Sequence, residues 1–252
     1  MYIILVIFLG LAAGSFLNVV IYRLHVGKNF LKGRSYCPYC KHPLNAADLV
    51  PIFSFILLKG KCRYCQKKIS WQYPLVEFST VLIYLLLYLK FGLSQEFIVY
   101  LIYSSFLIII FVFDLKYYLI LDKVTFPAIV VALIGGLFFL KIPFFSMFWA
   151  ALGAAAFFFL QLVISKGKWI GGGDIRMGFL IGIMLGWKGL IMALALAYFI
   201  GAFVGIILVL TKAKKMNSEI PFGTFLSLAT VVIILYGQEI FNWYWYKLLS
   251  LG

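Results

Sequence analysis

Two aspartates at the edges of apolar segments are the residues of this chain that are best suited to chemistry. Asp174 follows Gly171-Gly172-Gly173 and opens a short apolar segment, and Asp114 ends another apolar segment sixty residues earlier. The chain has only eight acidic residues among 252. Because an ionisable group at membrane depth is costly and usually functional, this pair predicts a two-carboxylate hydrolase built into a membrane.

The positions of the aspartates on their helices separate the candidates for this pair. Asp122 and Asp174 each precede an apolar segment, so each could be a helix N-cap, where aspartate is favoured. Asp114 lies instead at the C-terminal end of segment 97–113, where the helix dipole and partial burial both disfavour a negative charge. A carboxylate placed against both effects is a candidate for catalysis. We therefore expect Asp114, rather than Asp122, to be the partner of Asp174.

The chemistry that such a pair offers is hydrolysis of a peptide bond. Two adjacent carboxylates can share one proton, so that the ionised group activates water while the protonated group polarises the scissile carbonyl. The sequence contains neither a Gly-x-Ser-x-Gly nor a His-Glu-x-x-His motif, which argues against serine and zinc proteases. The three glycines before Asp174 would let the backbone approach a substrate or a neighbouring helix.

All four cysteines fall in one loop, as Cys37-Pro-Tyr-Cys40 and Cys62-Arg-Tyr-Cys65. Each Cys-x-x-Cys pair can present two thiolates to one metal, and two pairs complete a tetrahedral zinc site. Four thiolates leave no open coordination position, so we expect the zinc to stabilise the loop rather than to react. A pair of disulfides is the alternative, which the reducing compartment predicted from the charge pattern disfavours. His42 could be a spare ligand.

The composition predicts an all-α polytopic membrane protein. Mean hydropathy is +1.07, 65% of the residues are hydrophobic and only 12% are charged. The first apolar run is too long for a typical signal-peptide core and lacks a basic leader, so we expect it to be retained. The segment after the glycines is short, and we expect it to be entered through irregular glycine-rich backbone. About eight transmembrane helices are predicted, over residues 3–22, 75–91, 97–113, 124–140, 144–164, 175–187, 189–210 and 222–238.

The basic residues predict an orientation in the membrane rather than binding to nucleic acid. The net charge is +14, and ten of the 22 Lys and Arg residues fall between Arg23 and Lys68. If that loop is cytoplasmic, eighteen basic residues lie on the cytoplasmic side and four lie outside. This asymmetry predicts that both termini are external and that Asp114, Asp122 and Asp174 lie at the cytoplasmic face.

These expectations divide the chain into three parts: a first transmembrane helix (1–22), a cytoplasmic zinc-knuckle loop domain (23–73) and a transmembrane peptidase domain (74–252). Asp122, Glu77 and Glu219 could each be structural or contact a substrate. Glycines at four-residue spacing are typical of close helix packing rather than of a cofactor site; they are Gly178, Gly182, Gly186, Gly201 and Gly205.

Taken together, these motifs resemble the type IV prepilin peptidase family of bacterial membrane aspartyl proteases. The likeness covers nearly the whole chain. It rests on Gly14–Arg23, Arg34–Cys40, Gly60–Cys65, Ile69–Glu77, the Asp114 segment, Gly171–Asp174 and Ile220-Pro-Phe-Gly223, in the family's order.

The resemblance implies catalytic roles for Asp114 and Asp174, with Gly171, Gly172 and Gly173 as backbone support. It implies that a basic leader is cleaved from type IV prepilins or pseudopilins at the cytoplasmic face of the inner membrane. Many members then methylate the new amino terminus with S-adenosylmethionine, and members with the cysteine loop are usually of this bifunctional kind. The residues that would bind S-adenosylmethionine are unassigned.

The chain departs from the family pattern at three positions. Leu121 stands where a proline often precedes the aspartate, Thr224 stands where a proline often follows Phe-Gly, and His25 replaces a frequent proline. These changes bear on local turns and on substrate preference, since both aspartates and all four cysteines are present.

Three alternatives stay open at this point. The chain could be a peptidase without methyltransferase activity. It could be a transporter or channel whose carboxylates carry protons or cations, which leaves the zinc loop without a purpose. It could also be a non-catalytic assembly factor stabilised by zinc, for which substitution of either aspartate would be silent.

Overall fold

The computed structural model describes residues 2–30, 32–213 and 220–249. The described residues contain eight α-helices and no extended strand, apart from two isolated β-bridges. The all-α prediction is therefore confirmed. The helices are α1 (Tyr2–His25), α2 (Phe53–Leu57), α3 (Gln72–Phe91), α4 (Gln95–Tyr117), α5 (Asp122–Ile134), α6 (Phe144–Ser165), α7 (Gly172–Leu210) and α8 (Phe222–Leu249).

Seven of the elements in the described residues are long and apolar enough to cross a membrane. They are α1, α3, α4, α6, α7, α8 and the continuous segment Asp122–Phe139, in which α5 is extended by a π-helical turn, Gly135–Phe139. A polytopic membrane protein was predicted, and these elements confirm it.

Helix α7 accounts for the difference between seven elements and about eight predicted spans. Its 39 residues would form a rod of about 58 Å if straight, nearly twice the thickness of the hydrocarbon core. The helix is broken at Gly186, whose φ of 64° and ψ of −171° are not helical. The Trp187 N–H that follows is bound by the Ser146 hydroxyl oxygen of α6 at 3.1 Å. The break lies where the sequence predicted a boundary between segments 175–187 and 189–210.

One detail of this prediction was wrong. Irregular glycine-rich backbone was expected before residue 175, but α7 begins at Gly172. Gly172 and Gly173 are therefore the first two helical residues, and Gly171 is the N-cap in extended conformation. The N–H groups in the first turn of a helix point toward its start, where they can bind an acceptor.

The chain forms two compact units, residues 1–93 and 94–252. In the first unit α1 packs along α3. Gly10 and Gly14 let the two helices approach closely. A Cβ on Gly10 would lie 2.8 Å from the Val81 Cα, and a Cβ on Gly14 would lie 2.7 Å from the Glu77 Cα. Such small-xxx-small spacing lets membrane helices approach closely.

Arg23, near the end of α1, organises the start of the loop in this unit. The buried guanidinium donates hydrogen bonds to five backbone carbonyl oxygens, at 2.6–3.3 Å. These carbonyls belong to Asn29, Phe30, Lys32, Gly33 and Arg34. The loop is thus wrapped around a positive charge that it satisfies with backbone oxygen alone.

In the second unit, α7 packs against α5, α6 and α8, and α8 also packs against α4. Helices α6 and α7 approach closely at Gly182, where a Cβ would lie 2.5 Å from the Ala151 backbone nitrogen. Gly178 likewise faces the Phe158 ring. Close packing was predicted for both glycines, and it is confirmed. For Gly186 the same prediction missed its main role, which is the break in α7.

Candidate active site and metal centre

Asp114 lies in the last turn of α4 and faces the first turn of α8. Its Oδ2 accepts a hydrogen bond from the Thr224 backbone N–H at 2.7 Å and from the Thr224 hydroxyl at 3.1 Å. Both residues are only 5% exposed. The N-terminal turn of α8 therefore supplies the donors and the positive dipole end that the C-terminal end of α4 lacks.

Asp174 is the third residue of α7 and is also buried. Its Oδ2 accepts a hydrogen bond from the Gly171 backbone N–H at 3.1 Å. Asp174 was considered as the N-cap, which is wrong. Gly171 is the N-cap, and the Asp174 carboxylate, three residues later, binds the Gly171 N–H. This is the carboxylate half of a capping box, and a helix N-terminus favours a carboxylate at this position.

The packing of α4, α7 and α8 brings the surroundings of the two carboxylates together at one residue. Ile120, in the connection after α4, packs next to the glycine beside each aspartate. A Cβ on Gly173 would lie 2.9 Å from the Ile120 Cβ, and a Cβ on Gly223 would lie 2.8 Å from the Ile120 Cδ1. A buried pair of carboxylates in this arrangement can hold one proton between them and act on water and a carbonyl.

Asp122 is directed elsewhere. It is the first residue of α5, after the N-cap Leu121, so the N-cap role considered for it is wrong. Its carboxylate forms an ion pair with Arg176 of α7, two residues after Asp174. The Asp122 side chain is 55% exposed and that of Arg176 is 35% exposed. The ion pair joins the starts of α5 and α7 without adding a third buried acid.

Of the other two acidic candidates, the structure describes only Glu77. Glu219 lies outside the described residues. Glu77 is buried in α3 of the first unit, where its Oε2 accepts a hydrogen bond from the Ile52 backbone N–H at 2.8 Å. Ile52 has a positive φ of 62°, a conformation that is costly for a β-branched residue. Of the two roles considered for Glu77, this contact favours the structural one.

The four cysteines of the loop converge on one point. All four Sγ atoms lie within 4.8 Å of one another, and those of Cys37 and Cys65 are 3.9 Å apart. A tetrahedral zinc with Zn–S bonds of about 2.3 Å separates its sulfurs by about 3.8 Å, so the donor set fits a zinc ion. Each cysteine is free in the described loop, which disfavours the disulfide alternative.

The two Cys-x-x-Cys segments fold in the same way. The Lys41 N–H binds the Cys37 carbonyl at 2.9 Å, and the Gln66 N–H binds the Cys62 carbonyl at 3.0 Å. Lys41 and Gln66 both have positive φ, and an isolated antiparallel bridge closes each turn. Two equivalent tight turns therefore aim two sulfurs each at a common centre.

The thiols of this cluster are coupled electrostatically. Burial alone would raise the pKa of Cys37, but hydrogen bonds from the backbone of Cys40 and Tyr39 lower it to about 7. The backbone of His42 favours the Cys40 thiolate, but desolvation and the Cys37 and Cys65 thiols outweigh it and raise the pKa of Cys40 to about 11. Thiols this close resist joint ionisation, and a bound cation removes that penalty.

Asp48 holds the second turn of the cluster in place. Its carboxylate accepts hydrogen bonds from the Arg63 side chain at 2.7 Å, from the Tyr64 hydroxyl at 3.3 Å and from the Asn45 backbone N–H at 3.2 Å. Arg63 and Tyr64 are the residues between Cys62 and Cys65. Burial opposes the ionised form, but the Arg63 guanidinium and the other donors lower the pKa of Asp48. The His42 ring packs on the Tyr64 ring, with the ring centroids 3.7 Å apart, and His42 is not among the converging ligands.

Sequence reasoning missed four residues that position these sites: Thr224, Ile120, Arg176 and Asp48. Thr224 was noted only as a departure from a proline. Its signal was a polar residue at the start of an apolar helix, but nothing in the sequence linked it to Asp114, 110 residues away. Arg176 carried a stronger signal, because it lies two residues from Asp174 on the same helix.

Comparisons with known proteins match both units of the chain. Residues 8–91 match the Bacterial Peptidase A24 N-terminal domain, and residues 101–206 match the Type IV leader peptidase family. The prepilin leader peptidase/N-methyltransferase of Bacillus subtilis strain 168 is 35% identical over 93% of this chain and 94% of its own. The protein of that name from Aeromonas hydrophila is 32% identical over 97% of this chain and 94% of its own. No solved structure matches the chain.

Proposed function

Because the chain belongs to the type IV leader peptidase family, we propose that it cleaves the leader from prepilins or pseudopilins with Asp114 and Asp174. The observation that carries this proposal is that two buried carboxylates, sixty residues apart in the sequence, adjoin glycines that pack on the same residue, Ile120. Each carboxylate has one oxygen held by a backbone N–H at a helix start. Such fixed orientation is what a general acid and a general base need.

The proposed reaction is water attack on the peptide bond without a covalent intermediate. The ionised carboxylate takes a proton from water, and the oxygen attacks the scissile carbonyl carbon. The protonated carboxyl donates a hydrogen bond to the carbonyl oxygen and stabilises the charge that develops there. When the C–N bond breaks, a proton from the pair passes to the departing nitrogen.

In this proposal Cys37, Cys40, Cys62 and Cys65 hold a structural zinc ion. Four thiolates complete the tetrahedron, so the ion has no open position for water or substrate. Its binding would supply folding free energy to a loop too small to build a large apolar core. The Asp48 hydrogen bonds to the second turn support this site.

We also propose that the new amino terminus is methylated with S-adenosylmethionine, because the matching relatives are named prepilin leader peptidase/N-methyltransferase. No cluster of the described residues is matched to this methyl donor, so its binding residues are unassigned. In the net reaction a methyl group would pass from the sulfonium of S-adenosylmethionine to the amine that cleavage exposes, the amine would lose a proton, and S-adenosylhomocysteine would leave.

The distribution of charge supports an orientation with the loop and both aspartates at the cytoplasmic face of a bacterial inner membrane. Eighteen of the 22 basic residues fall on that side in the predicted arrangement, as the positive-inside rule requires. The substrate would then enter laterally from the bilayer, with its basic leader on the cytoplasmic side.

The deciding experiment is cleavage of a prepilin by the purified protein in bilayer nanodiscs, with the products weighed by mass spectrometry. We expect loss of the leader and, when S-adenosylmethionine is added, a product heavier by one methyl group. Cleavage without added mass would leave a peptidase without methyltransferase activity. Absence of cleavage with several prepilins, together with ion flux in liposomes, would favour a transporter instead.

A further inference from the structure

The short helix α2 exposes apolar side chains that a loop in water would be expected to bury. Phe53, Ile56 and Leu57 are 60%, 64% and 80% exposed, and they make up three of the five residues of the helix. Contiguous exposed apolar surface of this kind marks a site of contact with a partner or a membrane.

Two contacts place α2 beside the first turns of α3. The Ile52 N–H, at the start of α2, is bound by Glu77 at 2.8 Å. Glu77 is the sixth residue of α3, so it lies about 7.5 Å along the helix from its first residue. The Phe55 ring packs against Trp71, the residue before α3, with the ring centroids 5.0 Å apart. The beginning of α2 therefore lies near the first turns of a membrane-spanning helix.

The beginning of α3 also exposes apolar side chains. Leu75 and Phe78, on the first two turns of α3, are exposed, and α3 is apolar and long enough to cross a membrane. Trp71, just before α3, is also exposed, and tryptophan is enriched at membrane–water interfaces. The end of α3 near α2 thus has the composition of a membrane–water interface.

The residues that follow α2 carry positive charge. Lys59 and Lys61 are exposed, whereas the two acidic residues nearest in sequence are already engaged. Asp48 is paired with Arg63, and Glu77 is bound to backbone. Lysines directly after an exposed apolar helix are the pattern of an interfacial anchor that binds anionic lipid.

We propose that α2 is embedded in the headgroup region of the leaflet at that end of α3, with anionic phospholipid as its partner. Phe53, Ile56 and Leu57 enter the acyl-chain boundary, and the lysines meet phosphate. The nearness of α2 to the start of a membrane-spanning helix and the absence of a free acid among Asp48 and Glu77 favour lipid over a basic protein segment. The cysteine cluster, whose two halves flank α2 in the sequence, is thereby held near the membrane surface.

The test places the photoreactive residue p-benzoylphenylalanine in place of Leu57 in the full-length, zinc-loaded protein. The protein is irradiated in nanodiscs of phosphatidylglycerol and phosphatidylethanolamine, and the adducts are identified by mass spectrometry. The matched control places the same residue at Tyr39, which is exposed on the first cysteine turn of the same loop. We expect lipid adducts at position 57, few at position 39, and a preference for phosphatidylglycerol of roughly fivefold for each lysine that contacts the lipid surface.

A second measurement guards against misfolding. The double variant Ile56→Glu with Leu57→Glu should raise amide hydrogen exchange over residues 53–58 in nanodiscs, whereas Ile56→Val with Leu57→Met should not. Bound zinc, measured in both, reports that the loop is folded. Photoproducts at position 57 that join this chain to itself or to a prepilin, or an equal yield of lipid adducts at position 39, would overturn the proposal.

Discussion

The cysteine loop and the aspartate pair are built in opposite ways. The loop brings together four ligands from 29 consecutive residues, through two tight turns of the same geometry. The aspartate pair needs three helices, because Asp114, Asp174 and Thr224 come from α4, α7 and α8. One site can therefore form from local chain folding and a metal, whereas the other exists only when a large membrane bundle has packed.

This difference changes what each site depends on. Metal binding can supply the folding free energy of a small loop, so removing the metal removes the structure. Packing in the bundle is instead distributed over many contacts, such as the close approach of Gly182 to Ala151. A small local change at the aspartate pair should then alter orientation and rate while the fold remains.

The largest effect is expected for Asp114→Asn and Asp174→Asn. Each removes a group that gives or takes a proton in the proposed reaction, so prepilin cleavage should fall by about 10²- to 10⁴-fold or more. Zinc content, measured by elemental analysis, should stay at the wild-type value, since the cysteine loop does not need these residues. Normal cleavage in either variant would break the assignment of the pair.

Cys62→Ser should affect the other region. With three thiolates left, the loop should lose most of its zinc and become sensitive to limited proteolysis between residues 26 and 70. Thermal unfolding of the helical bundle should change less than the proteolysis pattern. If the loop became protease-sensitive and the helical bundle lost its thermal stability to the same extent, the loop would not be a local, metal-dependent folding element.

Gly173→Ala should reduce cleavage without loss of folding. The new Cβ would lie 2.9 Å from Ile120, so the connection after α4 must move. Overpacking of this kind costs about 1–3 kcal/mol, which lowers the rate by roughly five- to 160-fold if the cost falls on the active geometry. Gly172→Ala is the matched control, because a Cβ there meets nothing within 4 Å; equal activity of the two variants would show that Ile120 has no part in positioning the pair.

Thr224→Val should have a smaller effect on the same site. The variant loses the hydroxyl bond to Asp114 but keeps the backbone N–H, so kcat should fall about tenfold while KM stays within about twofold. Thr224→Ser, which keeps the hydroxyl, should restore activity. Thr230→Val is the control on the same helix, since the buried Thr230 hydroxyl binds the Leu226 carbonyl oxygen instead. If Thr230→Val impaired cleavage as much as Thr224→Val, the loss would come from the packing of α8 and not from the hydroxyl bond to Asp114.

The smallest effect is expected for Asp122→Asn. Its ion pair with Arg176 is half exposed, and exposed pairs contribute only about 0–1 kcal/mol. We expect cleavage within about threefold of wild type and the same small change for Arg176→Gln. A loss as large as that of Asp114→Asn, measured in the same assay, would place Asp122 in the reaction after all.

The two regions also differ in how far the sequence predicted them. The cysteine site could be predicted because Cys-x-x-Cys spacing alone sets the turn geometry. Asp114 could be selected because the end of a helix is an unfavourable place for an acid. Thr224 could not be linked to it, since the donor and the acceptor are 110 residues apart and meet only through helix packing.

The helices show the same limit. Apolar runs predicted most of the spans to within about four residues, as for 144–164 against Phe144–Ser165. The last span was predicted to end at residue 238, but α8 continues to Leu249. The break at Gly186 was anticipated only as a boundary between two segments, because a glycine in a row of glycines at four-residue spacing also fits a packing surface. The role of Ile120, which packs beside Gly173 and Gly223, depends on side-chain contacts that no local pattern records.

The guanidinium of Arg23 attaches the loop to α1 through contacts that should withstand acid and salt. Its five acceptors are carbonyl oxygens, which do not titrate, and the buried contacts are little screened by added salt. The cysteine ligands need deprotonated sulfur to hold a metal. Mild acidification should therefore empty the metal site while the start of the loop stays fastened to α1, so that reloading on neutralisation begins from a chain already tethered.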